Sequence, residues 1–281
     1  MTTWVAYRHE GHEHVGIVED DRYVPLAGVR RIDRETGLDA LLNAVPDREN
    51  SVSASEVELL PPSWAPDKVF CVGLNYHEHV EESGRDVPEY PVLFAKYASS
   101  LIAADQPIPV PSESAQVDYE GELAVVIGRP GRRISKEDAM SHVLGYSVAN
   151  DVTMRDYQYK THQWLQGKAW DDATPFGPHL VSADQVTVGA DMGIRTIVDG
   201  QVEQDSDLSF LMFDIPTLIA KISEFTQLNS GDVILTGTPG GVGFRRDPQL
   251  FLTPGSQVSV EIDGVGRIDS TVIAEPVKAV V

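Results

Sequence analysis

The sequence predicts an α+β, strand-rich fold, and three observations point that way. Short apolar runs bounded by turn-forming residues recur along most of the chain, as in Val69-Phe70-Cys71-Val72 and Val233-Ile234-Leu235-Thr236. The C-terminal part reads as a closing hairpin, residues 258–262 and 267–274, because Asp263-Gly264 suits the positive φ angles of a tight turn. Helical signals are confined to a few segments, chiefly 215–225.

In chain order, residues 1–62 are expected to form a small N-terminal α/β module ending in a linker, and 63–281 the main domain. Residues 5–8, 14–18 and 22–25 read as short strands and 38–45 as a short helix. Ser51 to Pro66 is rich in Ser, Pro and Ala and reads as the linker. A strand at 68–72 runs into a helix from Tyr76 to Ser83. Asn75 and Glu78 suit a capping box at its start, and Gly84 suits its end. Residues 118–127 read as a buried strand, 144–149 as another, with a helix starting near Val152. The strand at 233–236 enters a glycine loop, Gly237-Thr238-Pro239-Gly240-Gly241-Val242-Gly243, whose backbone amides can hold a carboxylate.

Composition narrows the function. The chain has 281 residues, 42% of them hydrophobic, and a formal net charge of -21. That charge argues against nucleic acid and anionic membranes as partners, since both select basic surfaces. The single cysteine, Cys71, lies in an apolar run and reads as a core residue in a reducing compartment. With no signal peptide and no apolar run of about 18 residues, a cytoplasmic protein is expected.

The chemistry concentrates on acids. Glu120 and Glu122 are two apart in a strand, so both carboxylates face one spot, with Ala124 and Val126 continuing that face. Two anions beside an apolar wall need a positive partner, and a hard divalent cation accepts several carboxylate oxygens at once. Asp151, after a strand end, is the third candidate ligand; read alone, it is equally a helix N-cap. His79 and Glu82 share a helix face and suit proton transfer near neutral pH, or are a surface pair. Lys96, which interrupts an apolar strand, and Lys168 can each meet an anionic substrate or sit in solvent. Arg155 and Gln158 lie one and two turns past Asp151 and can line the same pocket. The run His9-Glu10-Gly11-His12-Glu13-His14 spans a predicted hairpin turn and reads as surface.

Four ordered segments together resemble the fumarylacetoacetate hydrolase family: residues 73–79, 118–128, 150–156 and 231–239. The resemblance runs from about Lys68 to about Val272. It implies a mixed β-roll or sandwich with flanking helices, usually dimeric or larger, and a small N-terminal module such as many members carry. It also implies Mg2+ or Mn2+ on Glu120, Glu122 and Asp151. His79 and Glu82 become the water-activating pair in a short helical lid, and Lys168 the catalytic lysine. Arg155, Gln158 and Thr238 match substrate-contacting positions, with Lys96 a further candidate.

The expected activity is hydrolysis of a C–C bond in an acylpyruvate-like 2,4-dioxo acid. The alternative is decarboxylation or tautomerisation of a 2-oxo acid, as in relatives acting on oxaloacetate or aromatic-degradation intermediates. A third reading is a metal-braced protein without catalysis. Arg245-Arg246 either recognises a second substrate carboxylate or is a surface basic pair, and segment 157–167 is left without a role.

Overall fold

The computed structural model describes residues 2–276, so positions 1 and 277–281 of the two expected units lie outside the described residues. Its backbone is a twelve-stranded sheet ordered Val52–Ser53, Arg22–Pro25, His12–Glu19, Thr3–His9, Thr174–Ser182, Val143–Asn150, Gly121–Ile127, Val233–Leu235, Val69–Gly73, Val92–Lys96. Glu58–Leu60 pairs with Thr3–His9, and Leu101–Ala103 with Thr174–Ser182. A five-stranded sheet, ordered Gln201–Asp207, Gly193–Val198, Gln257–Ile262, Gly266–Ala274 and Ile108–Val110, packs against the first, and Val117–Asp118 pairs with Thr153–Met154. Pairing is mixed: Val233–Leu235 runs parallel to Val69–Gly73 and antiparallel to Gly121–Ile127. The strand-rich α+β expectation is therefore met.

Gly121–Ile127 is buried along its whole length because helices and sheet cover both faces. Leu123, Val125 and Ile127 enter a core shared with Leu218, Ile219 and Ile222 of the helix Ile215–Phe225. Ala124 and Val126 enter a second core with Trp4, Val15 and Cys71. Period-2 alternation thus sorts the strand as its sequence predicts. Helix Ile215–Phe225 starts where Asp214 accepts the Thr217 N–H at 2.9 Å, and its buried positions fall on one stripe.

The N-terminal strands continue the main sheet. Thr3–His9 pairs antiparallel with Thr174–Ser182, with Val5 opposite His179. Ser51 to Pro66 contains the paired strands Val52–Ser53 and Glu58–Leu60, because Val52, Leu59 and Leu60 bury apolar side chains there. The short helix ends early, at Leu38–Asn43.

Two local expectations are corrected. The helix His77–Ser83 is flanked by Tyr76 and lacks a side-chain cap, because Asn75 is used elsewhere. Its amide donates to Thr236 O at 2.7 Å and Phe213 O at 3.1 Å, and its Oδ1 accepts the Phe213 N–H. Gly84 does end the helix, at φ 62°. No helix starts near Val152: β-branched Thr153 pairs with Asp118 first, and a four-residue helix follows at Arg155–Gln158. Among the described residues, no helix is long and apolar enough to cross a membrane.

Candidate metal centre and active site

Glu120 and Glu122 flank Gly121 where the central strand begins, and Asp151 follows the neighbouring strand Val143–Asn150, whose Asn150 pairs with Gly121. That register brings the three carboxylates together. One oxygen from each lies within 4.8 Å of the others, and all three residues are buried. The N-cap alternative for Asp151 fails, since the helix that follows is flanked by Met154.

Three buried cations answer these anions. Lys168 Nζ bridges Glu120 Oε2 at 2.6 Å and Asp151 Oδ2 at 2.8 Å. Lys96 Nζ holds Asp151 Oδ1 at 2.5 Å and donates to Val152 O at 3.1 Å. Arg155 Nη1 reaches Glu120 Oε1 at 2.7 Å, and its Nε reaches Asp118 Oδ2 at 2.8 Å. Burial alone would raise the Glu120 pKa, but Lys168, Arg155 and His79 outweigh it and leave about 2. Glu122 shifts the other way, well above the usual carboxylate range: burial, then Asp151 and Glu120, disfavour its charge. Lys168 stays protonated because Asp151 and Glu120 overcome its desolvation.

The glycine loop supplies the rest of the positive field. Gly237 N–H donates to Glu122 Oε2 at 2.7 Å, Gly241 N–H to Glu82 Oε2 at 2.8 Å, and Gly243 N–H to Asp118 Oδ1 at 2.9 Å. One loop therefore seats three carboxylates by backbone amides alone. Glycine is required for this: Gly237 and Gly241 have φ of 103° and 98°, and a Cβ on Gly241 would lie 2.2 Å from Glu203 O.

Glu82 is thereby fixed, and its Oε1 lies 2.7 Å from His79 Nδ1. The imidazole meets Glu120 and Glu122 in one small cavity of about 20 Å³, also lined by Arg155, Gln158, Lys168 and Thr238. Arg155 Nη2 is buried there without a hydrogen-bond partner among the described residues. Gln158 Oε1 accepts from Arg155 Nη1 at 2.9 Å. Thr238 lines the cavity, but its hydroxyl donates to Gly121 O at 3.0 Å. Lys96 sits behind the triad, bound to Asp151, and is not among the lining residues. Arg246 pairs with Glu203 at 2.7 Å and donates to Gly241 O, so it braces the glycine loop; Arg245 stacks on Phe244.

Two supporting residues were missed in the sequence. Asp118 accepts from Tyr119 N, Gly243 N, Phe244 N and Arg155 Nε, locking loop and arginine together. Its place beside Glu120 was the available signal. Gln204 accepts the Gly121 N–H at 3.0 Å and donates to Thr238 Oγ1 at 2.8 Å, clamping the glycine between the two glutamates. It comes from a distant strand, and nothing in the sequence marks it.

The residues fit a hard divalent cation. The donor set is all oxygen and buried, and burial with Asp151 and Glu120 disfavours the charge of one member, Glu122, which a bound cation would favour.

Comparison with known proteins gives the same picture. Residues 68–273 match the family model described as "Fumarylacetoacetate (FAA) hydrolase C-terminal". A Xenopus laevis protein named as a mitochondrial oxaloacetate tautomerase is 44% identical over 241 residues, covering 85% of this chain and 76% of its own. A Homo sapiens protein with the same description is 44% identical over 221 residues, 78% of this chain and 70% of its own. Among solved structures, a fumarylacetoacetate hydrolase from Exiguobacterium antarcticum superposes with a TM-score of 0.85 at 32% identity, over 98% of this chain and 100% of that one. A 5-carboxymethyl-2-hydroxymuconate delta-isomerase from Mycobacterium smegmatis gives 0.83 at 33% identity, over 98% and 100%.

Proposed function

This chain belongs to the fumarylacetoacetate hydrolase family, and on that premise we propose that it is a divalent-metal-dependent tautomerase or isomerase of 2-oxo acids of the oxaloacetate type. The observation that carries this reading is one imidazole, His79, fixed by Glu82 beside the buried acidic triad. Keto–enol conversion asks a site for a proton carrier and for stabilisation of an enolate, and this arrangement supports both. The names of the relatives favour the same chemistry over hydrolysis.

Glu120, Glu122 and Asp151 would hold Mg2+ or Mn2+, which when bound supplies Lewis-acid stabilisation of negative charge on the 2-oxo oxygen. His79 would donate its Nδ1 proton to Glu82 in a hydrogen bond, leaving Nε2 as the base. Nε2 takes the proton from C3, the C–H electron pair becomes the C2–C3 double bond, and the C2=O π pair moves onto the 2-oxo oxygen. Returning a proton to the 2-oxo oxygen gives the enol; the reverse path gives the ketone. Arg155 Nη2, unpartnered and buried, would receive the carboxylate next to the 2-oxo group. Lys168 adds a fixed positive charge and keeps Glu120 and Asp151 in place.

Hydrolysis of an acylpyruvate is the second reading, favoured by the likeness to the Exiguobacterium antarcticum hydrolase, and uses the same pair to activate water. The test is an assay with Mg2+ on enol-oxaloacetate and on acetylpyruvate. Loss of enol absorbance without pyruvate or CO2 supports the tautomerase, pyruvate with CO2 a decarboxylase, and acetate from acetylpyruvate the hydrolase. Cytoplasmic placement and self-association as a homodimer or larger belong to this proposal. The tautomerases above carry mitochondrial names.

A further inference from the structure

The inner cavity is too small for its proposed substrate. At about 20 Å³ it holds one water, whereas a four-carbon acid needs several times that room. A second cavity of about 500 Å³ lies against it, and Arg85, Tyr159 and Trp164 line both. These three side chains form the partition. Trp164 can lie there because Gly73 has no side chain: a Cβ at Gly73 would fall 2.4 Å from the indole. The indole also meets Phe94 edge-on at 5.5 Å, and the Arg85 guanidinium sits 5.6 Å from its centroid.

The outer cavity is also electrically unlike the rest of the molecule. The chain carries a net charge of -21, yet the ionisable residues lining this cavity are Arg85, Lys160, His162 and Tyr159, with no acid. Lys160 is engaged with the Tyr157 ring, 3.2 Å away. Arg85 is exposed, and among the described residues it forms no ion pair. An arginine on an aromatic platform keeps its guanidinium edge available for a carboxylate.

We propose that Arg85 is the specificity-determining residue that receives the distal carboxylate of a 2-oxo dicarboxylate substrate in this basic vestibule. The inference rests on the reading of the inner site as the place where the 2-oxo acid end binds. An acid whose 2-oxo end reaches the triad passes between these shared side chains, so its far end emerges beside Arg85. A second carboxylate there meets positive charge; a methyl group gains nothing from it. Segment 157–167 thereby acquires a role, as the wall of the vestibule.

Two five-carbon probes isolate that carboxylate: 2-oxoglutarate and 2-oxopentanoate differ only in the distal group. Their dissociation constants are measured by tryptophan fluorescence on the Mg2+-loaded protein. The expected result is that 2-oxoglutarate binds about tenfold or more tightly than 2-oxopentanoate, as a charge-assisted pair predicts. In Arg85→Gln the preference should shrink to within about twofold, and Arg85→Lys should restore part of it. An unchanged preference in Arg85→Gln, an equal loss for both acids, or no preference in the parent protein would overturn the proposal. If oxaloacetate is turned over and the preference is unchanged, this inference alone fails. If no 2-oxo acid is turned over but the preference collapses as stated, the catalytic reading fails and this one stands. Binding of neither acid overturns both.

Discussion

The Gly241 N–H donates to Glu82 Oε2 at 2.8 Å, which ties the helix carrying His79 to the loop that also seats Glu122. His79, through Glu82, and Glu122 are thereby referred to one piece of backbone. Substituting Gly241 attacks that link, since φ is 98° and a new Cβ would meet Glu203 O at 2.2 Å. Gly241→Ala should lower both the melting temperature and the turnover of enol-oxaloacetate. A fully active, equally stable variant would show that the link is dispensable.

His79 is proposed to move the proton, so His79→Ala should reduce kcat by about 100-fold or more. The helix His77–Ser83 buries little besides Val80, so the melting temperature should stay close to that of the parent. Glu82→Gln keeps the shape but loses the negative partner of the imidazole, and a smaller loss is expected. Steady-state assay with Mg2+, alongside thermal melting, checks both; a His79→Ala protein with parental kcat would remove the residue from the mechanism.

Burial, Asp151 and Glu120 disfavour the charge of Glu122 and push its pKa well above the usual carboxylate range. Glu122→Gln should therefore raise the melting temperature in the presence of chelator. The same variant should lose the stabilisation that added Mg2+ gives the parent. Melting curves with EDTA and with Mg2+ compare the two; a metal-dependent rise of parental size in the variant would place the ion elsewhere.

The N-terminal strands should respond to mild acid. His179, opposite Val5, has its pKa lowered by burial, and His14, stacked on Tyr7, has it lowered by burial and by His12, His9 and Arg30. A histidine with a folded pKa below its unfolded value contributes stability present above about pH 6.5 and lost as pH falls below it. The two histidines should thus lower the melting temperature between about pH 7 and pH 5.5, above the range in which carboxylates of ordinary pKa titrate. His179→Gln should flatten that decline, and an identical slope would exclude this histidine as its source.

The central strand was legible in the sequence because its two faces differ in residue type: Glu120 and Glu122 share the side of Ala124 and Val126. The third acid, Asp151, was legible from its place at a strand end, and strand register then brought it to Gly121. Asn75 misled because a capping box and a tertiary clamp use the same amide, and only the packed neighbours Phe213 and Thr236 decide between them. Gln204 and the vestibule arginine Arg85 were invisible for the same reason. Each acts through residues far away in the chain, and neither belongs to a local pattern.

A titration of the metal-free protein with Mn2+, followed by calorimetry, addresses the oxygen triad most directly. The account predicts one ion per chain, with affinity weakened by about 100-fold or more in Asp151→Asn and in Glu120→Gln. Parental affinity in both variants would mean that the ion, and the enolate chemistry built on it, belongs somewhere else.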